Sequence, residues 1–147
     1  MIRLCAILAL CFSASAATAQ DVRDCDWPAS ARNLVEPWSD HTRTFANGKT
    51  RLALLDTAGE PAAGSYYLLV LSPPYAELGD RQCRVIGHGA IGFGYIDFEN
   101  LGAAYEPANG FTFDVPVEIY DGETFVAHHL TFTLNQSTGE IVTRLVE

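Results

Sequence analysis

The sequence has no stretch of about 20 apolar residues, the length that a helix needs to cross a bilayer. Its longest apolar run, Leu4 to Phe12, is too short for that. It has no C-x-x-C, H-x-H, H-E-x-x-H or H-x-x-E-H spacing, so the common zinc arrangements are missing. It has no G-x-S-x-G elbow either. Ser65 follows Gly64, but Tyr67 stands where the second glycine would be. The single methionine is Met1. A blue-copper site with an axial methionine is therefore excluded from the body of the chain. Positive charge is scarce: 9 Lys and Arg face 18 Asp and Glu, for a net charge of −9. Such a surface repels phosphate backbones and anionic lipid, which excludes nucleic-acid binding. No strand–helix alternation points to a parallel sheet. There is no internal repeat, no low-complexity tract and no linker.

The N-terminus does carry a pattern. Arg3 supplies one positive charge, Leu4 to Phe12 an apolar region, and Ala17-Thr18-Ala19 an A-x-A site. These are the three parts of a cleaved secretory signal. The expected organisation is a signal peptide over residues 1–19 and one β-rich domain over residues 20–147. Loss of Arg3 takes the net charge from −9 to −10, because no acidic residue leaves with it. The expected location is outside the cytoplasm, in the periplasm or beyond the cell, with no transmembrane anchor in the mature chain.

Export also sets the cysteine chemistry. Cys5 and Cys11 leave with the signal, and Cys25 and Cys83 remain. Two thiols in an oxidising compartment allow one intramolecular disulfide.

The rest of the chain reads as β. A short N-terminal helical arm, opened by Pro28 and stopped before Pro37, is the only helix candidate. Residues 41–45 and 50–55 flank Asn47-Gly48, a hairpin signal. Tyr66 to Leu71 is continuously apolar, as a central strand covered on both faces would be, and Pro73-Pro74 ends it. Residues 83–86 and 91–98 read as two more strands. Phe111, Phe113, Val115, Val117 and Ile119 alternate with Thr112, Asp114, Pro116 and Glu118, which puts one face in a core. Pro116 cannot donate to a ladder, so this strand is expected at an edge or bulged. Residues 125–134 and 141–146 complete a meander. Short strands separated by frequent turns give the expected fold: all-β, an antiparallel β-sandwich or small barrel.

The candidate sites are few. Gly87-His88-Gly89-Ala90-Ile91-Gly92 matches G-x-G-x-x-G, but strand follows where a dinucleotide site needs a helix. The structural reading of those glycines, bends and close approach of rings, is better. His88, held between two glycines, is expected to be the most accessible histidine. Extending the strand register turns His128 inward and His129 outward. Asp97 and Glu99 fall on one face of a strand at i, i+2. Tyr75 and Tyr105 are the aromatics expected to be exposed. Binding residues are therefore expected at His88, Tyr75, Tyr105, Asp97 and Glu99, with a disulfide between Cys25 and Cys83, no metal ligands and no cofactor. The leading expectation is a non-enzymatic binding or structural module of the cell envelope. Its concrete form is capture or inhibition of a cationic protein. The alternative is a small secreted hydrolase or metal-dependent enzyme using His88 with nearby carboxylates.

Overall fold

The computed structural model describes residues 21–59 and 61–146. The leader lies outside the described residues. The fold is all-β, with two antiparallel sheets. The strands are β1 (Asp21–Asp24), β2 (Thr42–Phe45), β3 (Thr50–Asp56), β4 (Tyr66–Tyr75), β5 (Arg81–Gly87), β6 (Tyr95–Ile96), β7 (Gly102–Glu106), β8 (Gly110–Tyr120), β9 (Phe125–Leu134) and β10 (Ile141–Val146). One sheet has the order β1-β5-β4-β3-β2. The other runs β10-β9-β8-β6, with β7 also on β8.

Alternation builds the core. Phe111, Phe113, Val115, Val117 and Ile119 of β8 are buried, and they share one apolar cluster with Leu52, Leu54, Leu68, Val70 and Ile86 of the other sheet. Each large apolar side chain removed from water contributes roughly 1.5–3 kcal/mol. β4 is central, as its unbroken apolar run predicts, and its other face is covered too. Ala53, Leu55, Tyr67, Leu69 and Val85 form a second cluster beneath Cys25, Ala29 and Leu34 of the N-terminal arm. Cys25 and Cys83 are joined by a disulfide that spans 58 residues of sequence.

Several expectations need correction. The helical arm is not an α-helix. It contains two 3₁₀ turns, Trp27–Ala29 and Ala31–Asn33, separated by an extended Ser30. Leu34 then bridges Leu55, so sheet pairing takes over before a helix can propagate. The prolines do not end β4. The pairing with β5 jumps from Ser72–Gln82 to Tyr75–Arg81, and the bulge absorbs Pro73 and Pro74. Residues 91–98 are not one strand. Ile91 bridges His88, Phe93 bridges Tyr66, and only Tyr95–Ile96 pairs with β8. Pro116 sits inside the sheet rather than at its edge. β7 pairs with β8 up to Asp114 and β6 begins at Val117, so the missing N–H falls in the gap between them. There the Pro116 carbonyl accepts a hydrogen bond from the Asp97 N–H at 2.9 Å.

The G-x-G-x-x-G pattern is explained by packing. A Cβ on Gly92 would lie 2.9–3.0 Å from the Tyr67 ring and would strike the Tyr66 carbonyl oxygen. A Cβ on Gly87 would meet the other edge of the same ring at 3.0–3.1 Å. The fully buried Tyr67 ring thus fills the space that two glycines leave open. Gly92→Ala is expected to destabilise the protein by about 2–4 kcal/mol in urea titration, because backbone and a buried ring must both move. A loss below about 0.5 kcal/mol would show that the ring is not clamped there.

Candidate functional site

Exposed aromatic residues gather around β6. Tyr95 is 47% exposed, and its ring meets the half-buried Tyr66 ring edge-on at 6.0 Å. Gly94 has no side chain, and the Phe125 ring occupies the place where one would be. Phe125 in turn lies 5.3 Å from Tyr120. Four aromatics from β4, β6, β8 and β9 therefore make one strip. The β8–β9 turn holds two of them in place. The Asp121 carboxylate accepts from the N–H groups of Glu123 at 2.8 Å and Thr124 at 2.9 Å. These bonds, that of Thr124 foremost, hold the Asp121 carboxyl below its ordinary pKa. The Tyr120 hydroxyl donates to the Gly122 carbonyl at 2.9 Å.

Carboxylates flank the strip. A cleft of about 140 Å³ is lined by Tyr95, Asp97, Pro116 and Glu118, and one of about 130 Å³ by His41, Tyr66, Tyr95 and Glu99. Asp97 and Glu99 do not share a strand face, because a 3₁₀ turn, Phe98–Asn100, begins between them. Asp97 caps that turn by accepting from the Asn100 backbone N–H at 3.4 Å, and its other oxygen accepts from Asn100 Nδ2 at 2.8 Å. Glu99 is tied through its main chain, where its carbonyl accepts from Arg43 at 2.6 Å. Burial, followed by the Asp56 carboxylate and Tyr95, pushes the Tyr66 hydroxyl above its ordinary pKa. Aromatic faces beside acceptor-only carboxylates suit a cation.

The other sequence candidates lie elsewhere. Tyr75 is exposed at the end of β4, opposite Arg81. Tyr105 is exposed on β7, with its ring 5.0 Å from Phe111. His88 follows β5, with its ring 6.3 Å from Phe93. Among the described residues, the groups that act on it electrostatically are Asp21 and His128. His128 is half-buried, and its Nδ1 has no hydrogen-bond partner among the described residues. His129, not His88, is the exposed histidine, with Nδ1 3.2 Å from Asp114 Oδ1. Among the described residues no group of three or more His, Cys, Asp or Glu is placed to hold a metal ion. Sequence reasoning missed Tyr120, Phe125 and Glu118 as site residues, and assigned Tyr66 and Tyr95 to packing. The glycine at position 94, which calls for an aromatic cover, was the available signal.

Burial pulls the His88 pKa below its ordinary value, and His128 adds to that shift while Asp21 opposes it. The folded state thus binds its proton less readily than the unfolded chain does. Stability from this group is complete above about pH 6.5 and is lost as the pH falls through the lowered folded value. His88→Gln is expected to flatten the fall in stability between neutral pH and pH 5, read by urea titration at each pH. An unchanged slope would remove His88 as its source.

No protein family model, curated protein or solved structure matches this chain.

Proposed function

We propose that this chain is an exported, non-enzymatic binding module of the cell envelope that captures or inhibits a cationic protein. The observation that carries this reading is the strip of Tyr66, Tyr95, Tyr120 and Phe125 with Asp97, Glu99 and Glu118 in the clefts beside it. A lysine or arginine placed there gains a ring face and a carboxylate together. The chain's net charge of −9 steers a basic partner toward it and sets the rate of encounter. A disulfide and a cleaved leader both suit a compartment outside the cytoplasm. No helix among the described residues is long and apolar enough to cross a membrane. The reading takes the two sheets as a sandwich, since both contribute to one core.

The rival, a hydrolase or metal-dependent enzyme built on His88, has less support. It needs a carboxylate from the Asp97–Glu99 pair near the imidazole, whereas among the described residues the carboxylate acting on His88 is that of Asp21.

The test is a pull-down from the native envelope fraction with the mature protein and two variants, Tyr95→Ala and Glu118→Lys. One stoichiometric basic partner is expected. Tyr95→Ala should weaken its binding by roughly tenfold or more, the usual loss at an aromatic anchor. Glu118→Lys should slow association and reduce its salt dependence. A partner that binds both variants as well as the parent protein would contradict the proposal, and so would an acidic one.

A further inference from the structure

A second concave surface lies on the outer face of the β1-β5-β4-β3-β2 sheet, where the N-terminal arm stops covering it. The register pairs Arg51 with Leu71 and Ala53 with Leu69, so these four residues share that outer face. Ala53 is small, and it leaves a hollow between larger neighbours. Leu34 walls one side, fixed by its bridge to Leu55. Trp38 stands at the rim, 59% exposed, in a turn closed by a hydrogen bond from the Asp40 N–H to the Pro37 carbonyl at 3.1 Å. The resulting groove is about 520 Å³, within the range of small-ligand sites and mostly apolar.

One feature of the lining is selective. Arg51 is its only charged residue, and among the described residues the guanidinium has no ion-pair or hydrogen-bond partner. An unpaired cation at the edge of an apolar hollow complements one chemistry: an apolar body ending in an anion. The groove shares no lining residue with the two clefts beside Tyr95, so it does not depend on the reading of that strip.

We propose that this groove is a binding site for a small amphipathic anion, an aliphatic or aromatic tail carrying a carboxylate. The tail lies on Ala53, Leu69 and Leu71 against the Trp38 ring, and the carboxylate accepts the forked N–H groups of Arg51. The site is distinct from capture of a cationic protein and has the opposite charge preference.

The experiment uses the mature protein carrying Trp27→Phe, so that Trp38 is its one tryptophan. Three probes with the same tail are titrated below their micelle concentrations: decanoate, decanol and decyltrimethylammonium. Trp38 emission reports occupancy. Decanoate is expected to saturate at a concentration at least tenfold lower than either other probe. Arg51→Gln should bring decanoate and decanol to within about threefold of each other, because the charge-assisted bonds are lost while the hollow remains. Circular dichroism of each variant checks that the sheets are intact, and Arg51 is exposed enough for its loss to leave them so. The proposal is overturned if the three probes bind alike, if none binds, or if Arg51→Gln leaves the preference for decanoate unchanged. A preference for decyltrimethylammonium would instead assign this groove to cationic partners.

Discussion

The structure depends on covering both faces of its β5-β4-β3 ladder. A sheet whose strands are apolar on both sides cannot leave either side in water. One face meets the second sheet through Leu52, Leu54, Leu68, Val70 and Ile86. The other is covered by the arm that follows β1, and Cys25–Cys83 fastens that arm to β5. Tyr67 is the largest side chain on the covered face. It fits because Gly87 and Gly92 offer it flat backbone instead of side chains. The Trp27 ring meets it edge-on at 6.4 Å and Arg23 lies over its face at 5.4 Å. Burial of this ring links the arm, the disulfide and the glycine-rich turn that carries His88.

The surface follows from where the cover ends. Beyond Leu34 the arm turns away and leaves the hollow floored by Ala53, with Arg51 at its edge. Residues 91–96 pass from one sheet to the other. Phe93 bonds to Tyr66 and Gly94 to the Glu118 carbonyl. This crossing places Tyr95 beside Tyr66 and opens the space that Phe125 fills. The two surfaces therefore differ in charge because different elements border them. Asp97, Glu99 and Glu118 surround Tyr95, while Arg51 alone marks the groove. Farther along the outward face that carries Glu118, Tyr120 and Phe125, the β8–β9 pair is plainer. There Thr131 donates to Asp114 Oδ2 at 3.1 Å beside the outward His129, a solvated polar array.

The meander was the most legible part of the sequence. β8, β9 and β10 follow period-two alternation or tight turn signals, and their observed ends lie within a residue of those read from the pattern. β4 was legible as central because both its faces are apolar. β1 and β7 were not legible. Asp-Val-Arg-Asp is half acidic, and every residue of Gly-Ala-Ala-Tyr-Glu is exposed, so neither shows a buried stripe. Both are specified by their neighbours rather than by their own propensity. Residues 91–98 misled because a run of glycine and apolar residues is common to a strand and to a crossing between sheets. The site was half legible. Asp97 and Glu99 were expected together, but the backbone turns between them. The aromatic strip and the Arg51 groove both depend on which strands become neighbours. Residue spacing along one chain does not encode that register.

The central claim is that a disulfide-fastened arm seals the outer face of the first sheet. Its most direct test is amide hydrogen exchange on the Cys25→Ala/Cys83→Ala protein, paired with urea titration. Opening a bridge across 58 residues should lower stability by about 4 kcal/mol in the chain-entropy account. The amides of Leu55, Tyr67 and Val85 should lose protection well before those of Phe113 and Phe132. Unchanged stability would contradict the account, as would an equal loss of protection in both sheets.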